Sequence, residues 1–131
     1  MTQGTVMPLW ELEPDHVLTE SHGFVIEIKR HPTLGHLCGY VYIEDGNLAG
    51  WCNAELGVHG GWTYEDVQDG VHILGFDCGH AGDKSPYMDA HRISPYGDVY
   101  RDIPFVLNEL KRVTRQLADK LSATSKEKAN A

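Results

Sequence analysis

The sequence predicts an α+β fold, in which an antiparallel sheet of about four or five strands packs against one long C-terminal helix. Apolar residues alternate with polar ones at a period of two in several segments before residue 78, which is typical of half-buried strands. A single apolar stripe with helical spacing follows in the last third of the chain. The length of 131 residues supports one domain, residues 1–131, with a core that needs neither disulfides nor metal.

The strand predictions centre on one hairpin and one later strand. The segment 24–29 alternates, and the segment 36–44 alternates again after a turn that contains Pro32 and Gly35, so the two should pair antiparallel. The second strand should turn Leu37, Val41 and Ile43 to the core, which leaves His36, Cys38, Tyr40 and Tyr42 on its other face. The segment 71–78 predicts a further buried strand.

The remaining segments complete the predicted order. Asp102 can cap a helix whose apolar residues lie on one stripe: Val106, Leu110, Val113, Leu117 and Leu121. The predicted segments are an N-terminal arm (1–20), a mostly β region (24–78, irregular over 48–57, with a short strand at 58–64 and an acidic turn at 65–70), a functional loop (79–100), the helix (103–121) and a polar tail (122–131).

The charge distribution limits the function. The formal net charge is −8, which argues against general nucleic-acid binding, because such proteins need basic surface to displace counterions from phosphates. Residues 1–70 carry only two of the 11 basic side chains, so any anion-binding surface should use the second half, notably Arg92, Arg101 and the helix cations. The apolar runs are too short for a transmembrane helix, and no signal peptide is visible.

The densest cluster of reactive side chains is Asp77-Cys78-Gly79-His80-Ala81-Gly82-Asp83, where a strand runs out into a glycine-rich loop. Histidine as a residue type titrates near neutral pH, and carboxylates on both sides of His80 can orient its ring, so this cluster could perform acid–base chemistry. A tight turn, in which these side chains satisfy backbone donors, is the structural alternative.

Two other patterns point to ligands. His36-Leu37-Cys38 mirrors Cys78-Gly79-His80, so adjacent strands could direct four zinc ligands to one point, although the spacing matches no standard zinc finger. The alternative for Cys38 and Cys78 is a pair of small buried side chains. The segment 59–63 offers donors and an aromatic wall for a small ligand, with Tyr40 nearby; its residues are His59, Gly60, Gly61, Trp62 and Thr63.

Three segments of the chain occur in this order: Gly35-His36-Leu37-Cys38-Gly39-Tyr40-Val41, His59-Gly60-Gly61-Trp62-Thr63-Tyr64 and Gly75-Phe76-Asp77-Cys78-Gly79-His80-Ala81-Gly82-Asp83. Together they resemble a family of small, mostly uncharacterised proteins of tailed bacteriophages and prophages. The resemblance covers roughly residues 30–120, and it departs from the family pattern at Leu37 and over 44–58. It implies action in the cytoplasm of an infected bacterium, in the contest between phage and host.

Three hypotheses follow. The first is a ligand-binding protein, an oligomer that captures a nucleotide-derived signal of host defence, through His59, Gly60, Gly61, Trp62, Thr63, Asp77, His80, Asp83 and Tyr40. The second is a zinc-dependent or His/Asp hydrolase that uses His59, Asp77, His80 and Asp83. The third is an inhibitor that docks on a host protein through an acidic face.

Overall fold

The computed structural model describes residues 8–91 and 97–129, with side chains as far as residue 124. The strands are β1 His16–Ser21, β2 Phe24–Arg30, β3 Leu37–Ile43, β4 Tyr64–Gln68 and β5 Val71–Asp77. These five strands form one antiparallel sheet in the order β1-β2-β3-β5-β4. The helices are α1 Leu9–Leu12, α2 Gly46–Glu55, α3 Pro86–Ala90 and α4 Ile103–Ala129. The predicted α+β architecture is confirmed.

The core lies between one face of the sheet and the two longer helices. Val106, Leu110, Val113 and Leu117 of α4 are fully buried, as the helical spacing predicted. They pack with the alternate residues of the central strands, and α2 adds Leu48, Ala49 and Cys52. Leu37, Val41 and Ile43 face this core, so the predicted β2–β3 hairpin and its inward face are both confirmed.

The N-terminal arm contains more regular structure than the sequence predicted. Residues 16–21 form the edge strand β1, which pairs with β2 through a two-residue turn at His22 and Gly23. Both turn residues have positive φ (52° and 87°), as a type I′ hairpin turn requires. The prediction missed β1 because an edge strand exposes most of its side chains and therefore shows no clear alternation.

The segment predicted to be irregular, 48–57, is largely helical, since α2 runs from Gly46 to Glu55. The Asp45 carboxylate accepts hydrogen bonds from the backbone N–H groups of Asn47 (2.8 Å) and Leu48 (3.2 Å). Asp45 is thus the N-cap of this helix. The glycines at 46 and 50 hid this helix, because glycine disfavours helix interiors.

Four further predictions need correction. The strand expected at 58–64 begins only at Tyr64, and β4 occupies most of the expected acidic turn. The functional loop contains the short helix α3, while residues 92–96, with Arg92 and Tyr96, lie outside the described residues. The expected polar tail from residue 122 continues α4 to Ala129, because its Ala, Lys and Glu residues favour helix and no Gly or Pro interrupts them.

Candidate functional site

The candidate site lies at the end of the sheet where β5 stops, beside the first turn of α4. Three segments meet there: the loop 56–63 after α2, the loop 78–85 after β5, and the residues 99–105 that lead into α4. A parallel β-bridge between Asp83 and Val99 joins the second segment to the third. The structure thereby brings together His59, Asp77, His80 and Asp83, the four side chains of the hydrolase hypothesis.

Asp83 is the centre of this cluster, and its side chain is 1% exposed. His59 Nε2 lies 2.9 Å from both carboxylate oxygens, and Arg101 donates from Nε to Oδ1 at 3.0 Å. The backbone N–H of His80 donates to Oδ2 at 3.1 Å. Burial alone would raise the pKa of Asp83, but the hydrogen bonds from His59, Arg101 and His80 outweigh it and lower that pKa. Asp83 is therefore ionised at neutral pH.

His80 stands between two carboxylates, one on each ring nitrogen. Its Nε2 is 3.3 Å from Asp77 Oδ1, and its Nδ1 is 3.4 Å from Asp83 Oδ2. The Nδ1 atom is buried and has no hydrogen-bond partner. A ring proton on Nε2, beside Asp77, leaves a lone pair on Nδ1 that points into the cluster.

Gly60 makes the position of the His80 ring sterically accessible. A Cβ atom on Gly60 would lie 2.2 Å from His80 Cε1 and 2.4 Å from Nδ1, and Gly60 has a φ of +72°. Only glycine satisfies both conditions. The Gly-Gly segment and the Asp-rich loop, which the sequence presents as separate motifs, are therefore two halves of one site.

Three atoms of this cluster suit a metal ion. One ring nitrogen of His59, one of His80 and a carboxylate oxygen of Asp83 all lie within 4.8 Å of one another. Tetrahedral zinc, with bonds of about 2.0–2.1 Å, separates its ligand atoms by about 3.3 Å. The distances from Asp83 Oδ2 to His59 Nε2 (2.9 Å) and to His80 Nδ1 (3.4 Å) are close to that value.

Asp77 is not one of the three candidate metal ligands, but its carboxylate orients the His80 ring. Its Oδ1 accepts a hydrogen bond from the backbone N–H of Gly79 (2.9 Å), and its Oδ2 accepts one from the Thr63 hydroxyl (3.3 Å). These contacts orient the carboxylate that faces His80 Nε2. A carboxylate on the second nitrogen of a histidine ligand is the usual outer partner in metal sites, because it fixes the tautomer of the ring.

Three residues predicted to bind a ligand have other roles. Trp62 donates from its indole N–H to the Leu56 carbonyl (2.7 Å) and packs edge-on against Phe76, so its ring belongs to the core. The N–H of Gly61 bonds to the Val58 carbonyl. Tyr40 lies on the far face of the sheet, where its ring occupies the space over Gly75.

The predicted zinc set of His36, Cys38, Cys78 and His80 does not assemble. Strands β3 and β5 are adjacent, as that prediction required, but Cys38 pairs with Asp77 in the register. Cys78 is one residue further, so its side chain points to the opposite face, in the core. Burial also raises the pKa of Cys38 to about 11 and raises that of Cys78, so both are protonated thiols. Cys78 is the small buried side chain that the alternative predicted.

Sequence reasoning missed the residues that α4 and its preceding segment contribute. Arg101 was noted only as a cation, yet it pairs with Asp83 and lies over the Phe105 ring at 4.9 Å. Phe105 also packs edge-on against His59, and Glu109 accepts a hydrogen bond from the His59 backbone N–H. The sequence shows that these residues lie near the start of the predicted helix. It does not show that they contact residues 18 to 50 positions away along the chain.

Comparison of this chain with protein-family models, with curated proteins and with solved structures gives no match. The geometry of the site is therefore the basis of the function proposed below.

A cavity of about 940 Å³ lies elsewhere, at the opposite end of the sheet. It is lined by residues of the β1–β2 turn, the end of β3 and the second half of α4, among them Phe24, Val25, Tyr42 and Leu121. Its lining contains none of the predicted site residues.

Among the described helices, none is both long and apolar enough to cross a membrane.

Proposed function

We propose that the protein is a metal-dependent hydrolase of a small molecule, and that His59, His80 and Asp83 hold one divalent ion, zinc in the first instance. The observation that carries this proposal is the buried Nδ1 atom of His80, which has no hydrogen bond and lies among the other two ligand atoms. A buried polar atom without a partner costs stability, and a metal ion bound at Nδ1 would supply the missing partner.

The number of ligands favours catalysis over a purely structural metal. Structural zinc sites use four protein ligands, whereas catalytic sites use three and leave a position for water or substrate. The side chains of His59 and His80 are 21% and 31% exposed, so the site borders on solvent, whereas His80 Nδ1 and the Asp83 carboxylate are themselves buried. A bound metal lowers the pKa of its water, and hydrolysis then adds the OH to one product and the proton to the other.

The chemistry of the ligands supports zinc as the first metal to test. Two imidazoles and one carboxylate match zinc hydrolases, and the same set also binds iron(II) or other transition metals. Magnesium and calcium prefer all-oxygen ligands, so they should bind this site weakly.

The charges near the site are mixed. Arg101 lies against Asp83, and Arg112 of α4 is held by Glu109, whose carboxylate also contacts the His59 backbone. Because both arginines are already paired, a bound divalent ion would supply the positive charge for a phosphate- or carboxylate-bearing substrate, for which a nucleotide-like molecule is the specific candidate. The phage origin, the host cytoplasm as location and docking on a host protein stay predictions.

The decisive experiment measures metal content and affinity together. We expect purified protein to hold one zinc per chain by elemental analysis and to bind zinc in calorimetric titrations after treatment with a chelator. His80→Ala should abolish stoichiometric binding, because it removes the unpaired Nδ1. His91→Ala is the matched control, since His91 is exposed and bonds only to the Tyr87 carbonyl in the described part of the chain.

Two outcomes would overturn parts of the proposal. If wild type and His80→Ala bind zinc equally, the cluster is an ion-pair network around Asp83 and not a metal site. If zinc binds but a panel of phosphate and carboxylate esters shows binding without product, the protein captures a ligand and does not hydrolyse it.

A further inference from the structure

The sheet has a second face that neither α2 nor α4 covers. Strand alternation places on it the residues between the core positions, and several of these are apolar and exposed: Leu18 at 61%, Val25 at 45% and Tyr64 at 42%. Among the described helices, only α2 and α4 pack extensively on the strands, and both lie on the other side. We call this surface the open face.

The strand registers arrange the open face in three rows. The middle row runs across all five strands: Leu18, Glu27, Tyr40, Gly75 and Tyr64. On one side of it lie His16, Lys29, Cys38 and Asp77, with Thr63 beyond. On the other side lie Glu20, Val25, Tyr42, Ile73 and Asp66. Val25 and Tyr42 face each other because they come one step beyond the registered pair Ile26–Val41.

We propose that the open face is a dimer interface, on which a second copy of this chain packs about a twofold axis parallel to the strands. Such an axis places β1 of one copy over β4 of the other, with β3 at the centre. Within the middle row, Leu18 then meets Tyr64 of the second copy, and Tyr40 meets its own equivalent. In the next row Val25 meets Ile73, which is only 6% exposed, so the main exposed apolar contact of the interface is that of Leu18 with Tyr64.

The charges of the first row fit the same arrangement. Lys29 of one copy, whose ammonium lies 3.6 Å from the Glu27 carboxylate of the same copy, then also lies over Asp77 of the other. Each contact occurs twice because the interface is symmetric. Glu27 does not oppose the packing, because its buried carboxylate already accepts hydrogen bonds from Tyr42 and His16. A twofold axis across the strands would instead set Glu27 against Glu27 and Asp77 against Ile73. The parallel axis is therefore the one that the side chains favour.

One contact in this arrangement is unfavourable, and it makes the proposal testable. Glu20 of one copy faces Asp66 of the other, twice per dimer. The face itself is small: five strands about 4.8 Å apart and three rows deep give roughly 800 Å² in total for two copies. We therefore expect a weak dimer that dissociates on dilution.

The first test removes an apolar contact. In sedimentation equilibrium over a dilution series, wild-type protein should dimerise reversibly, and Leu18→Glu should weaken the dimer at least tenfold. Leu12→Glu is the matched control, because Leu12 of α1 is 64% exposed and lies off the open face. Circular dichroism should show that both variants fold.

The second test identifies the twofold axis through substitutions that should raise the affinity of dimerisation. Asp66→Lys and Glu20→Lys should each tighten dimerisation by about fivefold, since each replaces two repulsive pairs by attractive ones. The double variant with Lys at both positions should return to the wild-type affinity. Neither residue touches the candidate metal site, so zinc binding should stay unchanged in all three.

Three results would overturn the proposal: a monomer at every concentration, a dimer that Leu18→Glu leaves intact, or charge reversals that weaken or do not alter it. The last result, with a dimer present, would mean that the two copies meet elsewhere or about another axis. These failures are independent of metal binding, so they do not bear on the proposed hydrolase.

Discussion

At the scale of single residues, the candidate site depends on a glycine more directly than on any of its charged groups. Gly60 lets the His80 ring lie over the backbone, and its positive φ of 72° turns the loop that carries His59. The neighbouring Gly61 has a similar φ of 84°, but a Cβ there would meet nothing within 4 Å. An alanine at Gly61 would therefore introduce backbone strain alone, whereas an alanine at Gly60 would also displace the His80 ring.

We expect Gly60→Ala to lower the free energy of unfolding by roughly 1–3 kcal/mol and to abolish tight zinc binding, because the new methyl group displaces His80. Gly61→Ala should cost only about 1 kcal/mol, through backbone strain, and keep zinc affinity. Urea denaturation and zinc titration of both variants check this. Equal zinc affinity in the two variants would contradict the assigned role of Gly60.

A second residue-level prediction concerns His36, which is 6% exposed and has a buried Nδ1 without a partner. Burial lowers its pKa below the ordinary 6.5, because the charged ring would lose its hydration. As the pH falls, His36 is therefore protonated at a higher pH in the unfolded chain than in the folded protein. The contribution of neutral His36 to stability is therefore present above pH 6.5 and is lost as the pH falls through the lowered pKa.

His36→Leu should remove this pH dependence. In metal-free protein, the free energy of unfolding of the variant should change less than that of wild type as the pH is lowered from 6.5. Urea denaturation at several pH values measures the difference. Parallel curves for the two proteins would show that His36 does not contribute to the acid sensitivity.

At the scale of the elements, α4 is the one that sequence alone located best. Its apolar stripe is longer than the sheet that it covers, since Leu117 is fully buried and Leu121, one turn later, is 44% exposed. The same side chain thus occurs in two environments on one helix face. We expect Leu117→Ala to cost about 2–5 kcal/mol of unfolding free energy and Leu121→Ala less than about 1 kcal/mol.

Chemical denaturation of the two leucine variants provides the measurement, with the denaturant dependence compared to confirm that both unfold in one step. Similar losses would mean that another part of the molecule covers Leu121. That result would point to the C-terminal end of α4 as an additional contact surface.

At the scale of the whole molecule, the proposed metal links the two halves of the chain. His59 follows α2, and His80 and Asp83 follow β5, so an ion held by all three resists separation of these segments. Binding to the native state stabilises it by about 2.7 kcal/mol when the free ion is at 100 times its Kd. We expect zinc to raise the Tm of wild-type protein, and a chelator to reverse the change.

Zinc should not change the Tm of His80→Ala. It should raise the Tm of Asp77→Asn by less than it raises that of wild-type protein. Loss of an outer carboxylate typically weakens metal affinity by about 10–100-fold without removing a ligand. Differential scanning calorimetry at matched zinc concentrations distinguishes the three proteins. An equal shift in wild type and His80→Ala would indicate that zinc binds elsewhere.

The sequence by itself determined the fold class, the β2–β3 hairpin, the buried stripe of α4 and the residues of the hydrolase hypothesis. These depend on local periodicity and on short motifs, which the chain displays directly. It did not reveal β1 or α2, because an exposed edge strand and a glycine-containing helix lack a clear period.

Only the tertiary structure decided which side chains meet. The register of β3 against β5 sends Cys38 and Cys78 to opposite faces, so the predicted zinc set cannot form. The loop before β4 instead brings His59 to Asp83, and Arg101 completes the pairing from the start of α4. A one-residue step along a strand reverses the direction of a side chain, so motifs alone cannot determine which groups share a site.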